Sequence, residues 1–289
     1  MATPASNQTV GDLVHAYLAE QVTVILDAEP ALRERGPVIH DTRVACRRLR
    51  STVRTYPEVV DADRAAALNE ELVWYAGLLG AVRDLEVLEE RLLADLAELA
   101  PELVLGPVAA ELEQELSIRQ SAAWSAVIEA LDTDRYRQLV ADLRRWRSDP
   151  PFTKKAAARA AKVKSYVKRA DKKLARRLDR AIEAHLAGIP EADVLLHSAR
   201  KAGKRARYAA ELATPVLGAK AEAIIAGRKD LQDILGEHQD SIVAASFLRS
   251  EGARVGIRSG HNGFTYGLLY GRELGRQAMI GEQLRPYLS

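Results

Sequence analysis

A single cysteine, Cys46, is all the thiol the sequence has, so it can form no intrachain disulfide and offers no thiolate cluster to a metal. Aromatic residues are scarce at 5%, which leaves a core to be built from aliphatic side chains, as in Leu- and Ala-rich helix packing. No window approaches the ~18 uninterrupted apolar residues of a membrane helix. The start, Met1 to Thr9, lacks the charged and apolar regions of a secretion signal. The expectation is a cytoplasmic, reducing setting without membrane contact. Net charge is also small: 42 Lys and Arg against 40 Asp and Glu leave +2. What is abundant is hydrophobic content, 47% of 289 residues, enough to exclude a disordered chain and to fill one large domain or two lobes.

The small net charge conceals segregation. Between Glu58 and Glu115 the acids meet only Arg64, Arg83 and Arg91, whereas between Lys154 and Arg180 only Asp171 and Asp179 interrupt a run of bases. Strand-like alternation is absent and prolines fall at helix-length intervals, so the fold class is all-α. Helices are expected over about 10–28, 61–79 and 84–99, with Gly80 as the turn between the last two, and with Asp132 or Thr133 capping a helix that runs to about 147. Asp149-Pro150-Pro151 is the clearest break, because consecutive prolines disfavour helix on both sides. It divides the chain into halves 1–150 and 151–289. Beyond it come a basic helix to about residue 185, one over about 191–213 ending ahead of Pro215, one leading to Gly236, and one over about 240–250. The last helix, about 262–284, carries Gly263, Gly267, Gly271 and Gly275, each costly in a helix interior, and close approach of a neighbouring helix is the expected reason.

Two stretches carry the chemistry. From His40, Arg43, Arg47, Arg50 and Arg54 follow at alternating steps of three and four, which puts all five on one helix face opposite Ile39, Cys46, Leu49, Val53 and Tyr56. Like charges at this spacing work against a helix, a cost that a polyanionic partner would remove. The order returns as His197, Arg200, Lys204 and Arg207, with Lys201 and Arg205 beside them and Leu196, Ala199, Gly203, Ala206, Ala210 and Ala213 opposite. Each stripe is followed by a Leu-Gly-x-x-x-Asp segment, Leu79-Gly80 to Asp84 and Leu235-Gly236 to Asp240, with both aspartates expected as helix caps or partners of stripe arginines. Matched landmarks in the same order point to an internal duplication.

In these paired His-x-x-Arg-x-x-x-(Arg/Lys)-Arg-x-Arg helices, the two Leu-Gly-x-x-x-Asp segments and the run Leu131 to Tyr136, the chain resembles the CHAD domain family over roughly 10–287. The resemblance implies two similar antiparallel helical bundles facing one another across a basic channel, and binding of inorganic polyphosphate, with targeting to polyphosphate granules. The residues expected to bind are His40, Arg43, Arg47, Arg48, Arg50, Arg54, His197, Arg200, Lys201, Lys204, Arg205 and Arg207. Arg48 and Arg205, off the stripe centres, are expected to reach the groove's edge, and Arg159, Lys162, Arg169 and Lys173 to extend the lining. Arginine can grip phosphate in bidentate fashion while lysine acts as a point charge.

No cofactor, metal or catalytic residue is expected. Asp41 beside His40 resembles the His-Asp pair of metal phosphohydrolases, but Ser198 takes its place in the second copy, and His15, His185, His238 and His261 show no ligand spacing. The Glu-x-Glu-x-Lys signature of triphosphate tunnel domains is missing. Trp74, Trp124 and Trp146 read as core. The alternative reading is nucleic-acid binding through the same basic surface, set back by the shortage of aromatics to stack on bases: Tyr56 and Tyr208 alone lie near the stripes.

Overall fold

The computed structural model describes residues 8–257 and 262–288. Among them the chain forms helices and no strand, with two isolated bridges, Thr9 to Arg159 and Val60 to Phe152. The helices are α1 (Val10–Asp27), α2 (Glu29–Arg33), α3 (Ile39–Thr55), α4 (Ala62–Ala97), α5 (Val108–Leu131), α6 (Asp134–Ser148), α7 (Val163–Leu186), α8 (Ala192–Leu217), α9 (Ala219–Gly256) and α10 (Phe264–Leu284). They fall into two compact units, each drawn from three separate segments of the sequence.

The first unit comprises Met1–Gly80, Trp124–Arg177 and Lys201–Asp230. Thr9 opens α1 with a reciprocal cap, its hydroxyl accepting from the Asp12 amide while the Asp12 carboxylate accepts from the Thr9 amide. Leu13, Val14, Leu18, Val22 and Ile25 recur at helical spacing on α1 and are buried where it packs on α3 and α6. Of the two candidate caps for α6, Thr133 serves, accepting from the Tyr136 amide. The apolar face expected for α3 is buried from Ile39 to Tyr56. In the unit's part of α8, Gly203, Ala206, Ala210 and Ala213 are buried too. The Pro150-Pro151 segment docks on the loop after α3, with the Asp61 amide donating to the Pro151 carbonyl and the Thr153 amide to that of Val59.

The second unit comprises Ala81–Ala123, Leu178–Arg200 and Leu231–Ser289. Its core joins Leu88, Leu92 and Leu96 of α4, Leu112 and Leu116 of α5, Phe247 and Leu248 of α9, and Tyr266 and Leu269 of α10. Beside the core runs an ion network. Arg91 donates to Glu237 and Glu273, and Arg276 donates to Asp95 and Glu273. Glu273 and Asp95 are buried, and these paired, hydrogen-bonded arginines are what make that burial tolerable.

Several local expectations are corrected. Gly80 and Gly236 do not end helices: α4 and α9 run straight through them. Asp84 and Asp240 therefore lie inside helices, which overturns the capping role and leaves that of partner to a stripe arginine. Pro215 is accommodated in the last turn of α8. Of the glycine ridge of α10, helix contact explains Gly263 and not the rest. A Cβ on Gly263 would stand 3.0 Å from the Gly252 carbonyl oxygen, but Gly267, Gly271 and Gly275 face open space, so helix contact does not account for them. Trp146 is buried, while Trp74 and Trp124 are only half-buried, Trp74 lying under the Arg135 guanidinium at 4.3 Å.

Candidate functional site

The site is built where the C-terminal end of α3 meets α7 and α8 in the first unit. Tyr56, which follows α3, is fully buried against Tyr166 of α7 with ring centroids 4.6 Å apart. That contact fixes the end of the stripe beside the basic helix, and Arg169 lies over the same Tyr166 ring at 5.2 Å.

Two compartments open there. One, with a volume of about 110 Å³, is lined by Arg54, Arg169, Lys173 and Arg205 against Tyr166, Pro57 and alanines. The other, of about 600 Å³, is lined by Arg54, Lys173, Arg177, Lys201 and Arg205 with Asn69 and small apolar residues. Arg54, Pro57, Lys173 and Arg205 belong to both, so the two form one continuous groove. No carboxylate is among the residues lining either compartment. At the groove's side the Arg50 guanidinium donates to Asn69 Oδ1 at 3.3 Å, which orients it.

The cations disfavour one another. Burial and the charges of Arg177, Arg54 and Arg50 hold Arg205 below the ordinary arginine range. Burial and Arg205, Arg177, Arg54 and Arg176 do the same to Lys173, and burial and Arg54 do so to Arg50. Arg169 Nη1 donates to Glu58 Oε1 at 3.4 Å at one side of the groove, while the lining itself is cationic and concentrates positive potential, which suits a multivalent anion.

Other stripe residues have different surroundings. Glu211 of α8 accepts from Tyr17 Oη at 2.9 Å and Arg48 Nε at 3.0 Å, and pairs with Arg207 Nε at 3.2 Å, so both arginines are neutralised within the fold. Arg43 lies across α4 where a side chain is missing: a Cβ on Gly80 would stand 3.3 Å from its Nη2. In the second unit Arg200 lies in the same way over Gly236, at 3.5 Å, and His197 Nδ1 is 2.7 Å from Gln239 Oε1. Arg47 is half-buried, and its Nε is buried without a hydrogen-bond partner. Lys204 is half-buried and His40 exposed. Arg159 and Lys162 are exposed on the 3₁₀ turn ahead of α7, outside the residues that line the groove.

Of the expected residues, then, the structure brings Arg54, Lys201, Arg205, Arg169 and Lys173 together, with Arg50 beside them. Arg205 lines both compartments, and Arg48 is held by Glu211 instead. Sequence reasoning missed Arg177 and Asn69. Arg177 had a readable signal, since it follows Arg169 and Lys173 at intervals of four on one helix face. Among the described residues no group of three His, Cys, Asp or Glu side chains is placed to hold a metal ion, and His261 lies outside them.

Fold and site together define an all-helical protein with a concentrated multi-cation groove. The sequence matches the family model of the CHAD domain over residues 16–249, and the chain belongs to that family. It is 32% identical over 286 residues to an uncharacterized protein of Mycobacterium tuberculosis, found alike in two strains, a match that takes in 99% of this chain. The chain spans about half the length of these relatives, 54%. Among solved structures, PptA from Streptomyces chartreusis superposes with a TM-score of 0.79 at 21% identity, covering 97% of this chain and 99% of that one. The CHAD domain from the plant Ricinus communis superposes with a TM-score of 0.71 at 24% identity, covering 100% and 94%. Both likenesses establish the fold. No helix among the described residues is long and apolar enough to cross a membrane.

Proposed function

We propose that this chain binds inorganic polyphosphate without hydrolysing it, and that the binding serves to place it on polyphosphate granules. The observation that carries the reading is the convergence of Arg54, Lys173, Lys201 and Arg205 on one groove whose lining includes no carboxylate. Each phosphate neutralised by a cation releases condensed counterions, so several weak contacts sum to an affinity that falls steeply with salt. Guanidiniums supply paired donors to phosphate oxygens, and the lysines add charge without fixed geometry. A lining without carboxylates also offers no side chain to carry a divalent ion to the phosphates or to act as a general base there.

Nucleic acid is the second reading, and the groove's one aromatic bears on it. Tyr166 is buried to 3% exposure, packed at a tilt against Tyr56 and covered by Arg169, so it presents no face to a base. Isothermal titration with long-chain polyphosphate at moderate salt tests the proposal, with binding expected. Polyphosphate should displace single-stranded DNA and not the reverse, and incubation with magnesium or manganese should release no phosphate. Absence of binding removes the proposal, and phosphate release would replace it with an enzymatic one.

A further inference from the structure

α7 is basic on more than the side that lines the groove. Arg169, Lys173 and Arg177 form the inner ridge, while Lys164, Lys168, Lys172 and Arg176 form a second ridge at four-residue intervals on the solvent side. At 1.5 Å per residue the outer ridge is about 18 Å long. The buried residues Val163, Tyr166, Val167 and Leu174 leave this side of the helix outward, and all four cations are exposed.

Nothing in the fold accounts for the outer ridge. Among the described residues none of its four cations has an ion-pair partner. The nearest acid along the helix within this unit, Asp171, is occupied by Arg228 of α9 at 3.1 Å. Three successive i,i+4 pairs of like charge weaken the helix that carries them. The neighbouring ridge adds to the crowding, since Arg176 is one of the charges that depress Lys173.

We infer that the outer ridge of α7 is a second track for the same polymer, holding the stretch of a long polyphosphate chain that extends past the groove. The inference rests on the polyphosphate reading of the groove. It assigns the groove to the phosphates that any chain offers and the ridge to the added affinity of long ones. Flexible lysines, tolerant of spacing, fit a repeating anion without fixed register, and no aromatic interrupts the ridge to select bases.

The test measures tripolyphosphate and long-chain polyphosphate against the intact chain and a variant with Lys164→Gln, Lys168→Gln, Lys172→Gln and Arg176→Gln. With four contacts removed at about 0.7 counterions each, the long-chain salt slope should fall by about 3, and the loss of affinity between 50 and 200 mM salt should shrink by about 50-fold. Tripolyphosphate affinity should stay unchanged, and a version with arginine at all four positions should keep the long-chain advantage. Long-chain binding by the glutamine variant equal to that of the intact chain overturns the track and leaves the groove reading standing. Binding of neither polymer by the intact chain overturns both. Length-dependent binding of single-stranded DNA without length-dependent binding of polyphosphate would overturn the track and reassign the ridge to nucleic acid.

Discussion

Arg205→Gln separates a binding role from a structural one, because the two make opposite predictions for stability. In the folded chain Arg205 is disfavoured by burial and by Arg177, Arg54 and Arg50, and no carboxylate compensates. A group whose charged form is disfavoured by folding destabilises the fold at every pH where it is charged. Each like-charged contact at such a half-exposed, partly screened site costs about 0.2–0.5 kcal/mol, so three sum to about 1 kcal/mol. Glutamine keeps part of the side-chain stem and a hydrogen-bond donor. Its expected effect is a gain of somewhat under 1 kcal/mol in low salt, raising the midpoint of thermal unfolding by about 2 °C for a chain of this size. At about 1 M salt, with a screening length near 3 Å, the gain should vanish. Polyphosphate affinity should fall while stability rises. Thermal unfolding followed by circular dichroism at low and high salt, with a parallel titration, measures both. A loss of stability that salt does not change would show that Arg205 holds the fold, and the reasoning would fail.

Other perturbations follow from the same geometry. Glu211→Gln removes the carboxylate shared by Tyr17, Arg48 and Arg207, and urea denaturation should show a loss of about 2–3 kcal/mol, since two half-buried guanidiniums lose their counter-charge; a change below about 0.5 kcal/mol would contradict the role given to it. Reversing Arg54 and Lys201 to glutamate together, both exposed and both lining the groove, should abolish polyphosphate binding while circular dichroism stays helical, and collapse of the helix signal would mark both side chains as structural. Burial pushes the Cys46 thiol from 9.0 to about 12, against the pull of Arg50 and Arg47. The neutral thiol therefore contributes stability that is intact below the ordinary thiol range and is lost as pH rises through 9 toward 12, by about 1.4 kcal/mol per pH unit. A thiol reagent should leave the folded chain unlabelled at mildly alkaline pH and react on addition of denaturant; prompt labelling of folded protein would refute the burial argument.

The cationic stripes were legible because they are local: steps of three and four residues define a face whatever lies across from it, and the apolar residues opposite them are buried. What opposes a side chain across the fold is not written locally. Glu211 takes donors from Arg48 and Tyr17, which stand 163 and 194 residues away, so the neutralisation of Arg48 could not be read from its neighbours in the sequence. Gly80 and Gly236 misled for the same reason. Glycine weakens a helix, and alone it suggests a break. Here the missing side chain makes room for Arg43 in one unit and for Arg200 in the other, a purpose visible only once distant helices pack. Arg177 could have been found, since the spacing that nominated Arg169 and Lys173 includes it.

If the groove cations of the first unit grip a chain of phosphates, as proposed, removing them must weaken binding without unfolding the chain. Long-chain polyphosphate is titrated at about 0.1 M salt into the intact chain and into the Arg54→Gln, Lys173→Gln, Arg205→Gln variant, with thermal unfolding recorded on both. Three lost contacts at about 0.7 counterions each should weaken binding about 100-fold. The variant should unfold at the same temperature or a higher one. Equal affinity of the two proteins would contradict the account.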